Sequence, residues 1–153
     1  KGTDTIRVFN IHLQSMKFSQ GNLSYIENPS IESKQDLQKS KSVIDKFKTA
    51  FIKRKVQADH IRAEIDKSPY PVIVCGDLND VPNSYAYQTI GDNLQNAFEE
   101  KGTGLGRTFT GIAPTLRIDN IFMSKAFTVN QYCRVTKKLS DHFPVIADIV
   151  KEK

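Results

Sequence analysis

The chain has 153 residues, 39% of them hydrophobic and 25% charged, the composition of an ordinary globular domain large enough to bury a core without staples. Lys and Arg outnumber Asp and Glu 22 to 17, a net charge of +5 that favours an anionic partner without naming one. The two cysteines, Cys75 and Cys133, have neither metal nor redox spacing, and no window is apolar enough for a membrane span.

Residues 1–4 read as a turn, and residues 5–13 alternate like a strand. A turn that opens a chain implies a hairpin whose first strand lies upstream. The expectation is therefore one N-terminally truncated domain over residues 1–153. No signal peptide is visible, and location stays open for the same reason. Residues 14–40 are polar, with Gly21, Asn22, Asn28 and Pro29, and read as a long loop of the kind that is usually functional or mobile. Over residues 39–67, Ile44, Phe47, Phe51, Ala58, Ile61 and Ile65 recur at helical spacing, with a phase slip across residues 53–56. Ser68 and Pro69 end that helix. Much of the basic excess lies between Lys34 and Lys67, where a solvated helix face explains it better than a nucleic-acid patch does.

Residues 70–82 carry the most information. Val72, Ile73, Val74 and Cys75 form a short apolar run that fits a strand covered on both faces, with Cys75 as a small buried hydrophobe. Gly76 lets the backbone turn closely, and Asp77, Leu78 and Asn79 emerge where the strand stops. Asp80 and Asn83 suit turn chemistry. Residues 84–90 suggest a short helix capped by Ser84, and residues 92–100 another helical turn. Gly102, Gly104, Gly106 and Gly111 mark a loop able to approach a ligand closely. Residues 116–123, 127–135 and 143–150 read as three closing strands.

Four polar islands thus fall at strand edges: Asn10 with His12; Asp77 with Asn79; Asp119 beside Arg117; and Ser140, Asp141 and His142. Singly, each has a plain structural reading. His12 could be a satisfied strand histidine, Asp119 a turn acid or a partner of Arg117, and Ser140 with Asp141 a turn cap. His60, on the helix, reads as a surface residue. Two of the three histidines and three acids converge on strand ends, which favours catalysis.

In their order, His12-Leu13, Gly76-Asp77-Leu78-Asn79, Arg117-Ile118-Asp119 and Ser140-Asp141-His142-Phe143-Pro144-Val145 resemble the later motifs of the endonuclease/exonuclease/phosphatase superfamily. The resemblance extends from Val8 to Ile149. It implies an α/β fold, the C-terminal half of a four-layer sandwich of mixed β-sheets with outer helices. It also implies hydrolysis of phosphate esters with Mg²⁺ or Mn²⁺.

Carried over motif by motif, His142 becomes the base or the phosphate-contacting imidazole, and Asp119 the group that fixes its tautomer. Asp77 orients and deprotonates the attacking water or assists the leaving group. Asn79 binds the scissile phosphate, and His12 a non-bridging oxygen. Asp141 helps bind metal with Asp77, or steadies the neighbouring His142. The family's early Asn and principal metal-binding Glu have no counterpart here, so the missing N-terminal half of the domain is an expected partner. The isolated chain is then weakly active or inactive. Asn120 also departs from the aromatic residue or His that commonly follows the Asp.

The resemblance leaves the substrate open. A nuclease is favoured, with Lys17, Phe18, Tyr25, Arg107 and Phe109 as candidate contacts and Arg107 as a substrate-binding residue. The alternatives are a sphingomyelinase-like or inositol-phosphate phosphatase activity, or a non-catalytic module that holds a phosphorylated ligand.

Overall fold

Four strands make a mixed sheet: β1 (Arg7–His12), β2 (Val72–Asp77), β3 (Gln95–Asn96) and β4 (Asp119–Met123), in the order β1-β2-β4-β3. This is a computed structural model, and it describes residues 4–16, 18–30, 32–110 and 116–152. Lys17, Gly111 and most of the expected opening turn lie outside the described residues. β1 runs parallel to β2, so the chain must cross over between them, and it does so through helices α1 (Gln20–Glu27) and α2 (Lys34–Asp66). β4 returns antiparallel to β2. After β2 come α3 (Tyr85–Gly91), capped by Ser84 as expected, and α4 (Ala97–Lys101). A hairpin-like ribbon of β5 (Phe127–Arg134) and β6 (Val145–Lys151) closes the described chain.

Alternation along the strands sorts the side chains into two cores. Phe9, Ile11, Val72, Val74 and Phe122 face Ala58, Ile61 and Ile65 of α2 and Ala86, Tyr87 and Ile90 of α3. Ile73, Ile121 and Met123 face the other way, onto Phe127, Val129, Tyr132, Ala147 and Ile149 of the ribbon. Full burial of side chains such as Val74 and Phe122 contributes about 1.5–3 kcal/mol each. The described residues therefore form three layers, helices on a mixed sheet on a β-ribbon, the α/β class expected from the sequence. Val8 of β1 and Ile146 and Val150 of β6 remain at least half exposed.

Three expectations change. The long loop of residues 14–40 contains α1 and the start of α2, each opened by a serine whose side chain accepts the N3 backbone N–H while the N3 side chain answers it. These capping boxes, Ser19 with Asn22 and Ser33 with Asp36, start helices in a stretch too polar to show a periodic stripe. The stripe of α2 also runs differently: Val43, Ala50, Arg54, Ala58 and Ile65 are buried, whereas Ile44 and Phe51 are exposed. The phase slip is the turn where the inward position is an arginine. The glycines of the loop approach a ring of the protein itself, since a Cβ on Gly102 or Gly106 would meet Phe98 at 2.2 or 2.5 Å. Among the described residues, no helix is long and apolar enough to cross a membrane.

Candidate active site

Register brings the polar islands together. His12 pairs with Asp77 across the parallel ladder, and Asp77 with Asp119 across the antiparallel one. The three side chains thus form one row across three adjacent strands, at the edge where β1 and β2 end and β4 begins. They share the face that holds Ile73 and Ile121, opposite the helices. His12 Nε2 lies 3.5 Å from Asp77 Oδ2. Gly76 permits the row: at φ 144° its backbone passes so close to β1 that a Cβ would sit 1.8 Å from the Ile11 carbonyl oxygen.

Past the strand end the chain makes an Asx turn. The Asn79 backbone N–H donates to Asp77 Oδ1 at 2.7 Å, and its Nδ2 donates to Asp77 Oδ2 at 2.8 Å and to the Leu13 carbonyl at 3.1 Å. Asn79 sits at φ 50°, a left-handed conformation that Asn tolerates better than most residues. Leu78, between the two polar residues, is buried and donates its N–H to Ile118. The hydrophobic middle residue anchors the turn while its neighbours face the site.

The fourth island arrives through Thr108. Fully buried, its hydroxyl accepts the backbone N–H groups of Ile118 and Asp119, both at 3.0 Å, and its carbonyl accepts from Phe143. Phe109 and His142 form a β-bridge beside it, with their rings edge to face at 5.0 Å. In consequence His142 Nδ1 donates to Asp119 Oδ2 at 2.8 Å. That bond fixes the tautomer and leaves Nε2 as the working nitrogen.

Electrostatics follow from this packing. Burial pushes the Asp77 carboxyl up, the Asn79 N–H partly offsets it, and the nearby Asp119 charge pushes it up again. Burial opposes charge on His142, but the Asp119 hydrogen bond and the charges of Asp119, Asp77 and Asp141 outweigh it and raise the imidazole above its usual range. The result is a carboxylate readier than usual to take a proton, and an imidazole readier to keep one. Asp77, Asp119 and His142 each offer a ligand atom within 4.8 Å of the others. Two facing carboxylates are the oxygen donors that a hard divalent cation takes, whereas the Nδ1 of His142 is already committed to Asp119. The set suits such a cation held through oxygen.

His12, Asp77, Asn79, Asp119 and His142 therefore come together. Asp141 does not join them: it is exposed and outside the cluster, and its backbone carbonyl accepts from Thr110. Arg107 braces its own loop, donating to the carbonyls of Phe109 at 2.6 Å and Thr110 at 2.5 Å. Asn120 is buried and bonded to Asn96 and Arg117. His60 is exposed.

Sequence reasoning passed over the residues that hold these loops. Arg54, 1% exposed, donates to Asp80 Oδ2 at 2.8 Å and to the Gln14 carbonyl at 3.0 Å. Gln57, one turn on, accepts the Gln14 backbone N–H at 2.9 Å. Together they tie α2 to the residue following Asn79 and to the segment leaving His12. The phase slip at Arg54 was the available signal.

The chain is similar to known proteins in sequence and in fold. A family model described as Endonuclease/Exonuclease/phosphatase family matches residues 41–142. Among solved structures, an endonuclease/exonuclease/phosphatase from Bacteroides vulgatus is 28% identical with a TM-score of 0.57, covering 67% of this chain and 46% of that one. A functionally unknown conserved protein from Enterococcus faecalis V583 is 23% identical, with a TM-score of 0.58 over 67% of this chain and 46% of its own. The human Nocturnin catalytic domain with bound sulfate anion is 22% identical, with a TM-score of 0.52 over 70% and 42%. At these last two identities the likeness speaks to fold alone. The chain spans less than half the length of these three structures. No curated protein matches it in sequence.

Proposed function

The chain belongs to the endonuclease/exonuclease/phosphatase family, whose members hydrolyse phosphate esters, and from that premise we propose that it carries the proton-handling part of a phosphoesterase. The substrate is a phosphate mono- or diester, cleaved by in-line attack of water. The observation that supports this reading best is the single row of His12, Asp77 and Asp119 with His142 bonded to its end.

Asp77, raised by burial, orients the attacking water and takes its proton as oxygen adds to phosphorus. The ester bond opposite breaks, and the departing oxygen takes its proton from water. His142, kept protonated by Asp119, contacts a phosphate oxygen through Nε2; its raised pKa suits a charged donor better than a base. His12 adds a second contact at the exposed end of the row. Asn79 does not take the phosphate-binding role expected of it: both hydrogens of its amide are spent on Asp77 and the Leu13 carbonyl, so it positions the carboxylate instead. Asp77, with Asp119 beside it, would hold Mg²⁺ or Mn²⁺, which when bound supplies the positive charge that offsets the phosphate oxygens.

The nuclease reading has less support from the geometry than hydrolysis itself. Arg107 is bonded to its own loop. Lys41, Lys46 and Lys53 line a groove beside Gln14, Ser15 and Met16, a basic surface that would suit a nucleic-acid backbone. Phe18 and Phe109 instead line an apolar cleft, and that cleft favours a second reading, an ester that carries an apolar group.

Hydrolysis of bis(p-nitrophenyl) phosphate by the protein in its full length, with Mg²⁺ and with chelator, tests the reading. Turnover lost on chelation is expected. Asp77→Asn, Asn79→Ala and His142→Ala should each lower kcat about 10²–10³-fold. A non-catalytic phospholigand module would bind phosphate equally well and turn over nothing. Wild-type rates in any one variant would remove that residue from the mechanism.

A further inference from the structure

A cleft of about 820 Å³ opens beside the candidate site. Two of its lining residues belong to that site's immediate frame: Asn79, from the Asx turn, and Phe109, whose ring sits against His142. Most of the rest of the wall is hydrocarbon, including Phe18, Leu23, Phe47, Phe51, Val81 and Leu116. The aromatic rings hold one another in place: Phe18 meets Phe47 edge to face at 5.3 Å, and Phe47 stacks with Phe51 at 6.1 Å. Arg54 lies 4.8 Å from the Phe51 ring centroid, so the helix that fixes the site's loops also fixes this wall.

Its charged lining is acidic. Glu27 and Asp80 are the charged side chains among the described residues of the wall, and Asp80 is already paired with buried Arg54. A polynucleotide following this route would bring further phosphates to a wall whose described residues include no lysine or arginine to meet them. The volume is that of a small-molecule site, and such sites are mostly apolar with a few fixed polar groups at one end. Here the polar end is the candidate active site.

We propose, resting on the phosphoesterase reading, that this cleft holds a hydrocarbon chain carried by the phosphate ester, so that the substrate is an alkyl phosphoester. The phosphate sits at His142, and the chain runs from it along Phe109 onto the rings of Phe18, Phe47 and Phe51. Selection then comes from the area of chain removed from water.

The test separates the cleft from the chemistry. Titration calorimetry of the full-length protein with methyl-, butyl- and octylphosphonate, which mimic the ester and are not hydrolysed, reads the cleft directly. Affinity is expected to rise about two- to fourfold per added methylene until the cleft is filled. Phe47→Ser should cut the octyl-to-methyl affinity ratio about tenfold. Phe51→Ser, at a ring that is nearly half exposed and so less needed for folding, should cut it in the same direction. Equal affinity along the series would overturn the proposal, and so would thymidine 5′-phosphate binding more tightly than octylphosphonate. In parallel, the alkyl p-nitrophenyl phosphate diesters report turnover. Binding that strengthens with chain length while neither these diesters nor the alkyl phosphate monoesters are hydrolysed would uphold the cleft and overturn the phosphoesterase reading.

Discussion

With Nδ1 committed to Asp119, the proton on His142 is shared property of two residues from distant parts of the chain. Its imidazole should titrate above the ordinary histidine range in metal-free protein, followed by NMR of the ring protons. Asp119→Asn should move that titration to lower pH, and an unmoved curve would show that Asp119 does not set the charge of His142. The linkage has a definite sign. A pKa raised by folding stabilises the protein below the unfolded value, and that stabilisation is lost as pH rises through the folded one. The stability gap between the parent and Asp119→Asn should therefore be wider at pH 5.5 than at pH 9. Asp77 is raised too, so its ionised form is disfavoured by the fold at neutral pH. Asp77→Asn should accordingly lose activity while keeping or gaining thermal stability, read by melting temperature. At this scale the sequence was informative: His12, Asp77, Asn79, Asp119 and His142 stand out because polar letters interrupt apolar runs. The commitment of Asn79 to Asp77 and Leu13 was not legible, because it depends on a left-handed backbone.

Helix α2 shows how a functional residue can hide inside a periodic pattern. Its inward stripe passes through Arg54, whose charge makes the apolar repeat look broken. Arg54→Met should destabilise by about 3–5 kcal/mol in urea unfolding, because the buried Asp80 carboxylate loses its partner. Adding Asp80→Leu should recover most of that loss, since two apolar groups replace a pair that was expensive to bury. If the single and double variants unfold alike, the ion pair is not what the site's loops depend on. The start of α2 was missed for a simpler reason. Ser33 and Asp36 form a capping box ahead of any buried residue, so hydrophobic periodicity began a turn too late. Helix α1 is short and polar, and its cap at Ser19 was the one local sign of it.

At the level of the whole molecule, the strands were legible because alternation and β-branching mark them, while their order was not. Nothing local tells β4 to lie between β2 and β3, or the ribbon of β5 and β6 to cover one face of the sheet. Those choices come from matching buried faces over long sequence distances. Gly76 is where the matching is tightest, since β1 presses on its bare backbone. Gly76→Ala should cost at least about 3 kcal/mol, combining a disfavoured φ with a clash that requires β1 to move. Its activity should fall further than its stability, measured by comparing kcat with the unfolding midpoint.

That close fit has a consequence for how preparations of this protein are judged. Side chains switch faces at every step along a strand, so sliding β1 one notch past β2 would carry His12 to the helix side, away from Asp77 and Asp119. The hydrogen-bond ladder and the helical signal in circular dichroism could survive such a slide, although Phe9 and Ile11 would leave the core and the melting temperature would fall. Competence here is a matter of alignment rather than of foldedness, and a sample that passes every test of secondary structure can still be inert.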